Sequence, residues 1–293
     1  MTGAVAGAVP ILTFARLTIW EAARRRLLIA LVLLTLAIIV ATSFGFSRLW
    51  TITNGGVPIG EVEVRLIASQ LLVVVTFMFS FVLALSSVMV AAPSISGDVE
   101  SGLVLSLLAR PVRRFDVTLG KWLGLAVLVV CYAAGAGGLE LLGVDLTTGY
   151  VPPHPVELVL YVAGEGLVLL TLGLLLSTRM AGMTGGIIAL VVYLAAWIGG
   201  IVGGVGEALN ADSLTYTGLA TKLLIPTDVL WRGAVYAMEP ASVAAAAKAA
   251  GPAAAANPFW AADPPPPALL AWALLWVLAL FTLAWWSFRS REV

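Results

Sequence analysis

Residues 95–124 place Asp98, Glu100, Arg110, Arg113, Arg114 and Lys121 between two of the most apolar runs of the chain. A mixed cluster of acids and bases suits charge recognition of a partner surface. Catalysis has much less to work with. The single histidine, His154, stands between Pro153 and Pro155 with no second His or Cys nearby, so no metal-ligand set is expected. No serine or cysteine has a partner base, so no catalytic residue is assigned. No G-x-x-x-x-G-K-[ST] motif occurs either: in "TLGKW" tryptophan follows the lysine, and no glycine loop precedes it to cradle a phosphate. The expectation is a non-hydrolytic chain that binds no cofactor itself. Zero formal net charge gives no bulk attraction for nucleic acid, and none is expected as a partner.

Two more acids fall inside apolar runs. Glu165 lies mid-run and Glu140 toward one end of its run. An ionised group at such a depth costs about 2.5–3.5 kcal/mol on insertion scales for the comparable Asp, so both should face protein or water. Glu165 is read in two ways, as a group on a transport path or as a packing residue hydrogen-bonded to a neighbouring Ser or Thr. For Glu140 the packing reading is preferred.

The elements that position these residues follow from composition. Hydrophobic residues make up 61% of the chain and charged residues 11%, with a mean hydropathy of +1.04, whereas soluble domains carry roughly 25% charged residues. The fold class is an all-α integral membrane protein. Crossing the hydrocarbon takes about 20 apolar residues as helix, and the windows that qualify are 27–46, 66–91, 119–142, 156–177, 184–206 and 268–288. Continuous rather than alternating apolarity excludes strands of a barrel. The lone Cys131, inside such a run, says nothing about redox compartment.

Lys and Arg orient the chain. With both termini inside, the inner segments hold Arg16, Arg24, Arg25, Arg26, Arg110, Arg113, Arg114, Lys121, Arg179, Arg289 and Arg291. The longer outer segments hold only Arg48, Arg65, Lys222, Arg232 and Lys248, which supports an N-in/C-in arrangement. Pro10 opens a segment, 10–26, too charged to span and expected to be an interfacial helix. Asn54-Gly55-Gly56 marks a turn in the first outer loop. Segment 207–267 is expected to lie outside, with short helices on or dipping into the outer leaflet surface. Its Ala/Pro-rich second half should be a short helix and a stiff lead into the last span.

Segment 93–116 then becomes a cytoplasmic connection between the second and third spans. Ser94 or Ser96 could cap a helix with Asp98 and Glu100 in its first turn, the favourable end of the helix dipole for acids. Leu103, Leu107 and Leu108, with Val104, would supply an apolar side to press on the bilayer boundary or the bundle, and Pro111 is expected to end that helix and start the next. An acid, three residues and a glycine (Asp98, Gly102), then Leu107-Leu108, Pro111-Val112, Arg114 and Leu119-Gly120-Lys121, resemble the signature of ABC-2-type permeases. These are membrane subunits of ATP-binding-cassette exporters, and the likeness is greatest to permeases associated with multicopper-enzyme maturation. Leu103 and Arg113 stand where threonine and serine are frequent.

The resemblance implies a plasma-membrane, multi-pass exporter subunit working by alternating access. It also implies a separate ATPase subunit that binds ATP and Mg, a second copy of the permease, and a coupling helix docking on the ATPase. Coupling would fall on Ser96, Asp98, Glu100, Gly102, Leu105, Leu108, Arg110, Pro111, Arg113, Arg114 and Lys121. Phe77, Phe81 and Glu165 are candidates for the path, and Gly199 with Gly203, at small-xxx-small spacing, for a dimer contact. Membrane lipid is an expected neighbour, and the long last loop could take an extracytoplasmic partner. The alternative is a secondary transporter or channel-like protein using Glu165, although no repeat is seen.

Overall fold

The computed structural model describes residues 2–24, 26–102 and 112–291. It is helical almost throughout, and six of its helices are long and apolar enough to cross a membrane. In order these are α2 (Arg26–Ser47), α3 (Glu61–Ala91), α5 (Arg114–Thr148), α6 (Pro155–Ser177), α7 (Gly182–Leu209) and α12 (Pro267–Arg289). The other helices are α1 (Thr2–Ala23), α4 (Pro93–Glu100), α8 (Asp212–Leu224), α9 (Thr227–Met238), α10 (Ala241–Ala249) and α11 (Pro252–Ala255). Between α2 and α3 a two-residue hairpin pairs Thr53–Asn54 with Val57–Pro58. Gly55 and Gly56 both take positive φ there (60° and 84°), which such a turn demands.

The central helix is α6, touching α3, α5, α7, α9 and α12. Its spanning window is 61% buried, against 11% for α2 and 17% for α12, which lie at the outside of the bundle. Glycines set the distances. A Cβ on Gly166 would sit 2.6 Å from the Val129 side chain of α5, and one on Gly173 3.0 Å from Ala91 Cβ, so both glycines of α6 make room for their neighbours. Polar pairs tie α2 to α5, through Thr35 and the Tyr132 hydroxyl (2.7 Å) and through Thr42 donating to Glu140 (3.0 Å).

Two expectations change. Pro10 lies inside α1 rather than opening it, and α1 is docked along the first turns of α5. Cβ atoms on Gly120 and Gly124 would meet the carbonyls of Ile11 and Ala15 at 2.8 and 2.6 Å. The second change concerns 207–267. Rather than lying on or dipping into a leaflet surface, α9 packs into the bundle against α6, α3 and α7. Trp231, Val235 and Met238 are buried, and so are Gly233, Ala234 and Ala237, because small residues let a second side of the helix be covered. Phe77, Trp231 and Phe259 stack edge to face at 5.2–6.3 Å. Helices α8–α11 thus form a lobe that caps one end of the bundle. His154 N–H donates to Ala237 O, and the Tyr150 hydroxyl to Met238 O.

In this lobe Glu239 accepts the Ala261 N–H (3.1 Å), and burial raises its carboxyl to about 7. A raised carboxyl binds its proton more tightly folded than unfolded, so its contribution to stability is lost as pH rises from the ordinary Glu range through about 7. Glu239→Gln should flatten that slope in the melting midpoint between about pH 5 and about pH 8.5, and melt higher than wild type at the alkaline end. The glycine seam between α7 and α8 makes a second prediction. A Cβ on Gly203 would lie 2.8 Å from the Gly218 Cα, and overpacking costs about 1–3 kcal/mol. Gly203→Val should therefore lower the melting midpoint by about 3–8 °C in detergent. Gly135→Ala, at a position with open space around it, should not.

Candidate functional site

The site starts where α3 ends. Ala92 keeps helical backbone (φ −58°, ψ −40°) and its N–H bonds Val88 O at 2.8 Å, so α4 follows α3 without an intervening loop. Pro93 takes the first helical position, where its missing N–H costs least. The expected serine cap is absent. Ser94 and Ser96 bond back to Ala91 O (2.6 Å) and Ala92 O (3.2 Å) instead, because the helix has already begun. Asp98 and Glu100 consequently lie in the second half of α4 rather than its first turn. Gly102, at φ +73°, takes a left-handed conformation just past the end, as helix-terminating glycines do.

What α4 touches differs from the expectation of a charged face turned wholly to a partner. The Lys121 ammonium, on α5, pairs with Asp98 and donates to Ser94 O, and both side chains are largely buried. Ile95 enters a cluster with Val117, Leu174 and Phe288, from α5, α6 and α12. Pro93 rests on Gly182 at the start of α7, where a Cβ would fall 2.9 Å away. One short helix therefore contacts four spans. Ser96 is buried among them.

Neighbouring cations are used in the same way. Arg114 donates to the carbonyls of Phe288 (2.7 Å), Arg289 (3.1 Å) and Arg291 (2.7 Å), closing the C-terminus of α12 with charge of the favourable sign. Arg179 reaches Ser287 (2.9 Å) and Ser290 (2.6 Å), and Arg291 donates to Thr178 O (2.7 Å). Lys121 and Arg114, expected to face a partner, are thus engaged within the chain. Glu100, Gly102 and Arg113 remain exposed beside them. Leu105, Leu108, Arg110 and Pro111 lie outside the described residues.

The remaining candidates fall elsewhere. Ser80 donates to Glu165, and Tyr193 lies beside the same carboxylate, making a node between α3, α6 and α7. Phe77 stacks on Trp197, Trp231 and Phe259, and Phe81 on Tyr193, and both side chains are half-buried. Gly199 and Gly203 are covered by Thr221 and Gly218 of α8, and the proposed dimer stripe is an intrachain seam. His154 precedes α6, 3.7 Å from Glu157. Sequence reasoning missed the docking role of Gly120 and Gly124, although their spacing of four was readable, and the Arg114 cap, which no local pattern signals.

Removing one member of the Asp98–Lys121 pair leaves a largely buried charge without its partner, so each single change should cost more than the double change. For Asp98→Asn, Lys121→Met and both together, the double-mutant cycle in thermal unfolding should show coupling of about 1–3 kcal/mol. Additive losses would remove the pair's role as a tie between α4 and α5.

A sequence profile of the ABC-2 family transporter proteins matches residues 88–293, from the end of α3 through α4 and every later span. No curated protein matches the chain. The matched region covers more than half of the chain and contains the whole α4 junction, and with six apolar helices of spanning length the protein belongs to the ABC-2 family of transporter proteins, as a multi-pass membrane permease.

Proposed function

We propose that this chain is the permease of an ATP-binding-cassette exporter in the plasma membrane, with its basic end cytoplasmic and its α8–α11 lobe outside. The family implies an ABC ATPase subunit as partner. In this reading that subunit holds ATP and Mg, docks beside α4, and drives alternating access in an assembly with two copies of the permease. The observation that carries it is the position of α4: its Ile95, Pro93 and Asp98 engage α12, α5, α6 and α7, so a displacement of α4 is felt by four spans. The gathering of Arg114, Lys121, Arg179 and Arg291 at this end supports its orientation. The motif in 98–121 supports the narrower likeness to permeases of multicopper-enzyme maturation.

Docking should rest on the residues that are exposed, Glu100 and Arg113, because Asp98 and Lys121 already satisfy each other. Tagged wild-type chain extracted gently from native membranes should carry an ATPase with a phosphate-binding glycine loop. The Glu100→Lys, Arg113→Glu double variant should lose most of that ATPase while keeping its own elution volume and melting midpoint. Absence of any ATPase from the wild-type preparation, even after cross-linking, would defeat the exporter reading.

A further inference from the structure

The capping lobe holds a pocket of about 460 Å³ that the coupling mechanism does not use. Its size is that of ligand sites, commonly about 300–1,000 Å³. Lys222, in the last turn of α8, and Arg232, on α9, line it together with Val229, Trp260 and Leu269, so cationic heads and apolar surface meet in one cavity. Both cations are mostly buried (18% side-chain exposure each) and lean on the same carboxylate, Asp228, which is 1% exposed.

The cations are only partly satisfied. Lys222 Nζ lies 3.8 Å from Asp228 Oδ2, too far for a hydrogen bond, and no acceptor among the described residues takes its protons. Arg232 Nε donates to the same oxygen at 3.4 Å and Nη2 to Ala255 O at 3.1 Å and Gly200 O at 3.5 Å, which leaves Nη1 without a described acceptor. Asp228 Oδ1 has no hydrogen-bond partner, so one oxygen serves two cations. Two other acids line the pocket. Glu207 is exposed and screened by water, and Asp263 is matched by Lys248 at 3.1 Å. Buried charges act through less water than exposed ones, and the field inside the cavity is therefore set by Lys222, Arg232 and Asp228, two cations against one carboxylate, which leaves positive charge in excess.

We propose that this pocket binds a small organic anion, whose carboxylate, sulfate or phosphate group meets Lys222 and Arg232 while its apolar part lies along Trp260, Val229 and Leu269. A guanidinium and an ammonium supply donors in two geometries around one anionic group. The anionic group could belong to a soluble molecule or to a lipid headgroup reaching in beside the start of α12. The site lies in the capping lobe, away from α4, and failure of the ATPase-docking reading would leave it standing.

Full-length chain in nanodiscs of neutral phosphatidylcholine, titrated calorimetrically with phenyl phosphate, should show saturable binding, and benzyltrimethylammonium should show none. Lys222→Gln should weaken phenyl phosphate by about tenfold or more. Ala262→Trp, which fills the cavity from its wall, should abolish binding with the charge cluster intact, and it decides the matter if Lys222→Gln does not fold. Nanodiscs containing phosphatidylglycerol divide the two sources: loss of phenyl phosphate binding there assigns the site to a lipid headgroup, and undiminished binding assigns it to a soluble anion. No binding in neutral nanodiscs, equal binding of the cationic probe, or affinity unmoved by either folded variant would overturn the proposal.

Discussion

A leucine gains little by leaving lipid for another apolar helix, so association inside a bilayer depends on how closely backbones can approach and on the polar groups they share. This chain meets that constraint with glycine. Gly166 and Gly173 bring α5 and α3 onto the central α6, and Gly120 and Gly124 bring α1 onto α5. On α7 one stripe, Gly199, Gly203 and Gly206, receives α8, while Gly200 makes room for the Asp228 carboxylate. The burial of α9 follows from the same approach, since Gly233 lies flat against the Tyr161 ring of α6.

Within that frame the polar residues act as ties more than as contacts for other molecules. Glu165 joins α3, α6 and α7, and Glu140 joins α2 and α5. At the basic end the cations that bias orientation are also internal donors. Arg114 closes α12, Arg291 reaches the end of α6, and Lys121 holds α4. A charge kept on one side of the membrane by its cost of crossing is then available to satisfy the free carbonyls that every helix leaves at its C-terminus. The α4 junction is tied to four spans by the same kind of contact.

Much of this was legible in the residues. Apolar runs of about 20 residues mark the spans whatever surrounds them, because each must satisfy its backbone alone. The hairpin glycines and the acid-glycine-proline-arginine motif were equally readable. The misreadings share a cause. Gly199 and Gly203 were recognised as a close-contact stripe, yet spacing cannot say whether the facing helix is a second copy or α8. Asp98 and Lys121 stand 23 residues apart, and nothing local tells that each is the other's counter-ion. Segment 207–267 looked semi-apolar because α9 has small residues on a second face, a pattern that a surface helix and an inserted one share.

The sequence by itself determined class, span number and family, since these rest on composition, run length and a local motif, all independent of neighbours. Only the tertiary structure decided which charges are spent inside and which stay exposed or partly satisfied, leaving Glu100 and Arg113 exposed at the basic end and Lys222 and Arg232 sharing Asp228 in the capping lobe. The physical reason is that a charge is defined by its partner and its access to water, and both are supplied by residues far away in the chain.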